Sequence, residues 1–233
     1  MTRGLAIVGH GKMGRLIEEL APDYGFDVRL TLNSTTNAHS VGLTRENLHG
    51  VDAAMEFSAP SAAIQNIRQL AALGIPVVAG TTGWFQQLPC VREAVESAGG
   101  ALVWSPNFSV GVYRFRQIIA QAASAFAAEA EYEAWGWEIH HSAKRDAPSG
   151  TLLAVADEMK QAGFHRTINL SATRAGAHPG THEIGFDSSS DTITIRHTAR
   201  SREGFARGAL RAARWIVGKT GVFEFREIVN ELE

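Results

Sequence analysis

The stretch from Glu138 to Thr151 brings together two imidazoles (His140 and His141), an ammonium (Lys144) and a Ser149-Gly150-Thr151 turn, just ahead of an apolar helical run. Imidazole gives up or takes a proton near neutral pH. Lysine can hold a developing negative charge, and a turn that opens a helix aims backbone N–H groups at a carboxylate. A proton donor beside an anion trap points to chemistry on a small anionic substrate. Side chains alternate across a strand, so His140 and His141 do different jobs unless the strand ends between them. Glu138 lies two positions before His140, shares its face, and is expected to raise the imidazole's pKa. His140 is the expected proton donor. Pro148 has no N–H to give, Ser149 suits a helix cap, and Gly150 lets a ligand come close to the backbone.

A second set of residues suits a dinucleotide. Leu5-Ala6-Ile7-Val8 is a short apolar run followed by Gly9-His10-Gly11-Lys12-Met13-Gly14, after which Met13, Leu16, Ile17 and Leu20 recur at helical spacing. In that context the glycines permit a tight turn, a close approach to a pyrophosphate, and close packing of helix on strand. The next strand, Phe26 to Leu32, ends at Asn33, where a Rossmann unit meets the adenosine ribose. Asn33 brings no carboxylate to repel a 2′-phosphate, and no adjacent arginine grips one, so both NADH and NADPH stay open.

These groups need a scaffold. Ala53 to Ser58 reads as a strand, a helix runs from Pro60 to a Gly74 cap, and Ile75 to Ala79 leads into Gly80-Thr81-Thr82-Gly83. Ala101 to Trp104 leads into Ser105-Pro106-Asn107-Phe108-Ser109. Repeated βα units predict a Rossmann-type, doubly wound parallel sheet with ligands at its carboxyl edge. After residue 109 the pattern changes to a long apolar helix, a strand at 132–141, and alternating segments at 181–186 and 192–198 flanking a hairpin-like turn. That predicts an α+β domain with a mixed or antiparallel sheet. The expected division is a dinucleotide-binding domain at 1–109 completed by 203–233, and a substrate-binding and oligomerisation domain at 110–202.

Composition narrows the partners. The 233 residues are 45% hydrophobic with a formal net charge of −2, enough apolar material for a full core. No basic stripe suits nucleic acid and no polybasic flank suits a membrane, which leaves small molecules. Cys90 is the single cysteine, so no intramolecular disulfide forms. The opening residues lead into a strand rather than a signal core, and the expected location is cytoplasmic. Cys90 has no nearby histidine to activate it and is read as packing. His178, His182 and His197, added to the His140-His141 pair, suggest a metal cluster, but Pro179-Gly180 separates His178 from His182 and no cysteine or acidic pair completes a site. No metal is expected, and Arg174 to Glu183 is read as scaffold or rim.

Several of these segments together resemble one family. They are Gly9 to Gly14, Glu56-Phe57-Ser58, Gly80 to Gly83, Asn107 to Gly111, the Glu138 to Thr151 motif, and Arg202, Phe205, Ala206, Gly208 and Ala209. The resemblance is to the 4-hydroxy-tetrahydrodipicolinate (dihydrodipicolinate) reductases of lysine and diaminopimelate biosynthesis, and it runs nearly end to end. It implies reduction of a cyclic dicarboxylate imine or enamine by NADH or NADPH in a homotetramer. It implies His140 as proton donor and acceptor, Lys144 as a second proton-donating or charge-stabilising group, and His141, Ser149, Gly150 and Thr151 as substrate contacts. The cofactor is expected against Gly9, Gly11, Lys12, Met13, Gly14, Asn33, Gly80, Thr81 and Thr82, and against Ser105, Pro106, Asn107 and Phe108. The glycine turn is one residue shorter than the form common in the family, and Asn33 stands where an acidic residue usually reads the ribose. A non-catalytic dinucleotide sensor would not need His140, Lys144 and the turn together. A different amino-acid or imine dehydrogenase would consume NADH with another keto or imino acid while ignoring the dihydrodipicolinate precursor.

Overall fold

Runs such as Leu5-Ala6-Ile7-Val8 and Val77-Val78-Ala79 are apolar without alternation, a pattern that requires cover on both faces. In the computed structural model, which describes residues 2–232, they form strands of an all-parallel sheet. The chain begins β1 (Arg3–Val8), α1 (Lys12–Leu20), β2 (Phe26–Leu32), β3 (Ala53–Glu56), α2 (Pro60–Ala72), β4 (Val77–Ala79), α3 (Leu88–Ser97) and β5 (Ala101–Trp104). It continues through α4 (Val110–Phe126), β6 (Glu133–His140), α5 (Gly150–Gln161), β7 (Ile168–Arg174), β8 (Thr181–Asp187) and β9 (Thr192–Thr198). It closes with α6 (Glu203–Ile216), β10 (Gly221–Glu224) and α7 (Phe225–Ile228). Two units result: the residues up to Ser109 together with those from Glu203 onward, and Val110–Arg202.

The first unit holds a six-stranded sheet in the order β10-β5-β4-β3-β1-β2. Ala6, Val8, Ala54, Val77 and Leu102 pack with Ile67 and Leu70 of α2 and with Val91 and Val95 of α3. Residues of the opposite parity, Leu5, Ile7, Met55, Val78 and Val103, are equally buried, and α6 packs on β3, β4 and β5 while also meeting α1. The strand order reverses at β1, which pairs with β2 on one side and β3 on the other. Crevices beyond the carboxyl ends of such strands are where open α/β sheets take ligands. Cys90, read from sequence as packing, is instead exposed on α3. Helical periodicity there leaves that position on the solvent side, while Val91 and Val95 face inward.

The second unit holds a mixed sheet in the order β7-β6-β8-β9. β6 and β7 run parallel, joined through α5, while β8 is antiparallel to both β6 and β9. One face is covered by Phe115, Ile119 and Ala123 of α4 and by Leu152, Val155 and Met159 of α5, packed on Ala134, Ile184 and Phe186. On the other face Trp135 and Trp137 are half-buried. Gly185 leaves room for Trp135, since a Cβ there would lie 2.2 Å from the indole.

Candidate active site

The start of α1 is shaped by its glycines. Gly9 has φ +106°, and a Cβ on it would lie 2.2 Å from the Phe57 carbonyl oxygen. A Cβ on Gly14 would lie 2.1 Å from the Gly9 carbonyl oxygen, so the helix packs against the turn only because that atom is missing. Gly11, the N-cap, faces open space. Gly9 and Gly14 thus shape the turn, and Gly11 leaves the backbone N–H groups of a helix start accessible to an anion.

Two cavities flank this turn. One of about 340 Å³ is lined by Gly9, His10, Gly11, Asn33, Ser34, Asn37, Phe57, Ser58 and Asn66, among others. The other, about 430 Å³, is lined by Gly11, Lys12, Met13, Phe57, Ser58, Pro60, Gly80, Thr81 and Thr82. A Cβ on Gly80 would strike the Phe57 ring at 2.1 Å, which explains the glycine there. An open helix start between two concavities fits a pyrophosphate with a nucleoside on either side. Asn33 lines the first cavity, but its Oδ1 also accepts from the Thr35 and Thr36 N–H groups at 2.8 and 3.0 Å, closing a turn. Ser105, Pro106, Asn107 and Phe108 line neither cavity. The Ser105 hydroxyl donates to the Asn107 carbonyl at 2.6 Å, and Phe108 is buried against Phe225 at 4.8 Å between ring centroids.

Sequence reasoning missed the polar floor of the first cavity. Glu56, fully buried at the end of β3, accepts from the Ser58 hydroxyl and, at 3.2 Å, from Asn66 Nδ2. The Asn66 Oδ1 in turn accepts from Asn37 at 2.9 Å and Ser40 at 2.8 Å, pinning the loop after β2 to α2. Burial pushes the Glu56 carboxyl up despite these hydrogen bonds. Asn66 was the available signal: an amide on the apolar side of α2, where only an internal partner tolerates it.

In the second unit, strand register assembles the titratable groups. Glu138 lies opposite His182 across the antiparallel pair β6–β8, and His140 lies beside Arg174 of β7. Glu138 is fully buried and accepts from the Ser149 N–H at 2.8 Å, from the Ser149 hydroxyl, and from Arg174 Nη2 at 2.7 Å. His182 Nε2 lies 3.3 Å from its Oε2, and His140 Nδ1 lies 3.7 Å away. Burial pulls the Glu138 carboxyl upward, but hydrogen bonds from Ser149 and Arg174 outweigh it and leave the group below its ordinary range. His140 is pushed down, first by burial and then by Lys144 and Arg174, against the pull of Glu138. This reverses the expectation from spacing: Glu138 does share the face, but desolvation of the imidazolium wins. His182 is pushed down to about 4, chiefly by burial and by His140.

The remaining motif residues follow the strand end. β6 stops at His140, so His141 belongs to the loop. Ser149 caps α5, accepting from the Leu152 N–H at 3.2 Å, while its own N–H and hydroxyl serve Glu138. Gly150 and Thr151 form the first turn of that helix, and Lys144 Nζ lies 2.8 Å from Asp146 Oδ1. A Cβ on Gly180, where φ is +141°, would lie 2.9 Å from His140 Nε2. Arg174 and His182, read as scaffold or rim, are thus partners of Glu138. No local periodicity signals that role, because it depends on three strands pairing. Ligand atoms of Glu138, His140 and His182 lie within 4.8 Å of one another, but Arg174 already supplies positive charge to that carboxylate.

The chain matches two family models, described as dihydrodipicolinate reductase N-terminus over residues 4–108 and C-terminus over residues 111–229. It is 34% identical to the 4-hydroxy-tetrahydrodipicolinate reductase of Christiangramia forsetii, covering 98% of each chain. Against the protein of the same name from Natronomonas pharaonis it is 31% identical, over 94% of this chain and 96% of the relative. A solved dipicolinate-bound dihydrodipicolinate reductase from Paenisporosarcina sp. TG-14 shares the fold, with a TM-score of 0.80, 19% identity and full coverage of both chains.

Proposed function

Because the chain belongs to the dihydrodipicolinate reductase family, we propose that it reduces 4-hydroxy-tetrahydrodipicolinate, or the dihydrodipicolinate formed from it by loss of water, to tetrahydrodipicolinate in lysine and diaminopimelate biosynthesis. NADH or NADPH, the cofactors of this family, supplies the hydride. Gly9, Gly11, Lys12, Met13 and Gly14 would hold the pyrophosphate, with Asn33, Gly80, Thr81 and Thr82 against the flanking nucleosides and Ser105 to Phe108 shaping the strand end beside them.

The observation that carries the reading is the crowding of His140, Lys144 and the opening of α5 at one end of β6. Hydride added to one carbon of the conjugated ring leaves an electron pair that a proton must meet at the neighbouring carbon. His140 donates that proton, a step worth roughly 10²- to 10⁴-fold in rate. The Glu138 carboxylate lies within reach of the imidazole and stabilises its charged form as the proton is replaced. Lys144 and the N–H groups of Gly150 and Thr151 hold a substrate carboxylate, with His141 beside them. Ser149 supports the site by holding Glu138 and the helix start.

Two wider readings go with this. The uncovered sheet face bearing half-buried Trp135 and Trp137 supports assembly into a homotetramer, to be checked by light scattering. Among the described residues no helix is long and apolar enough to cross a membrane, in keeping with a cytoplasmic enzyme. The deciding experiment couples the chain to the upstream synthase product and follows NADH and NADPH oxidation separately. Turnover with that product supports the proposal, and turnover only with other keto or imino acids overturns it.

A further inference from the structure

We propose that Asp146 sets substrate affinity by occupying, with its own carboxylate, the place that a substrate carboxylate takes on Lys144. The proposal rests on the reading of Lys144 and Gly150 as the anion trap. Lys144 Nζ donates to both oxygens of Asp146, at 2.8 and 2.9 Å. The Lys144 hydrogen bond, and to a smaller degree the nearby Gly150 backbone N–H, holds this carboxyl below its usual range. The two groups assigned to a substrate carboxylate therefore converge on a carboxylate of the chain itself.

The surroundings make this occupant displaceable. The Asp146 side chain is 55% exposed, against 25% for Lys144, so it is the acid that can turn into water without opening any core. The backbone on either side stays fixed. The Lys144 N–H donates to the His141 carbonyl at 3.0 Å, and Arg174 Nη2 donates to the Asp146 carbonyl oxygen. Release then needs only rotation of one short side chain, after which a ligand carboxylate inherits the same donors. The ammonium keeps an anionic partner throughout, so the exchange is nearly neutral electrostatically. An exposed ion pair and a helix-start contact are each modest, and their loss is recovered as tighter ligand binding when the competitor is removed.

The test replaces Asp146 with Asn, which keeps the shape and removes the charge. For D146N, the KM for the cyclic dicarboxylate and the dissociation constant of dipicolinate, measured by calorimetry, should both fall roughly three- to tenfold, with kcat within about twofold of the parent. An unchanged or raised KM, or a fall in kcat beyond that, overturns the proposal, the latter by showing that Asp146 positions Lys144 for turnover. Should D146N fold poorly, D146S carries the same comparison. Absence of reductase activity in the parent enzyme would instead reject the functional reading, so the two failures are distinguishable.

Discussion

Glu138 and Ser149 are joined twice, the Ser149 N–H donating to one carboxylate oxygen at 2.8 Å and its hydroxyl to the other. This double link ties the end of β6 to the start of α5, so the strand that carries His140 and the helix that offers its N–H groups are held as one piece. Glu138→Gln keeps the volume but gives the Ser149 donors a poorer partner and leaves the Arg174 guanidinium without its counter-charge. Removing one member of a buried ion pair costs about 3–5 kcal/mol. With Arg174 partly accessible, the expected loss is about 2–3 kcal/mol in urea unfolding, with kcat lowered at least tenfold. Unchanged stability would show that the link does not hold the site.

Replacing His140 with Gln removes the donor and keeps a polar side chain. The proposed mechanism predicts a fall in kcat of roughly 10²- to 10³-fold, while NADH affinity measured by fluorescence titration stays within about twofold. Equal losses in turnover and cofactor affinity would mean that His140 serves the architecture rather than the proton transfer.

The contribution of His182 to the pH dependence of stability has a definite sign. A histidine in the unfolded chain titrates near 6.5, whereas folded His182 is held down to about 4 by burial and by His140. Between those values the unfolded state binds more protons, so the contribution is fully present above about pH 6.5 and is lost as pH falls toward 4. The loss is on the order of 3 kcal/mol, and the lowered His140 adds in the same direction. Urea unfolding at intervals from pH 7.5 to 4.5 should show this decline, and His182→Gln should flatten it. The raised Glu56 carboxyl works in the opposite direction in both proteins, so the test is the difference between them: a pH profile identical in the parent and in His182→Gln would contradict the buried neutral imidazole.

The sheet and glycine turn were legible because local rules govern them: apolar runs without alternation need two covered faces, and Gly9 and Gly14 stand where a Cβ would strike the backbone. The Ser149 cap was legible for the same reason. The partners of Glu138 were not, since His182 and Arg174 reach it only through the register of β8 and β7. The direction of the His140 shift was also hidden, because spacing reveals a neighbouring carboxylate but not the depth at which both are buried. Glu56 and Asn66 escaped for a related reason: their hydrogen bonds join a strand end, a helix and a loop distant in sequence.

With the dinucleotide placed as proposed, the choice between NADH and NADPH turns on Asn33, which lines the cavity at the end of β2. Its Oδ1 accepts from the Thr35 and Thr36 N–H groups, and an aspartate oxygen accepts from the same donors, so Asn33→Asp keeps the turn and adds one negative charge beside the cavity at the end of β2. A carboxylate there accepts from the ribose hydroxyls of NADH and repels the 2′-phosphate of NADPH. The KM for NADPH should rise about tenfold or more, equivalent to about 1.4 kcal/mol, with the KM for NADH unchanged or lower. Asn33→Ala removes the turn's acceptor and should weaken both cofactors together. Equal responses of NADH and NADPH to Asn33→Asp would place the 2′-position elsewhere, because a charge that touches neither ribose hydroxyl nor phosphate has no means of telling the two apart.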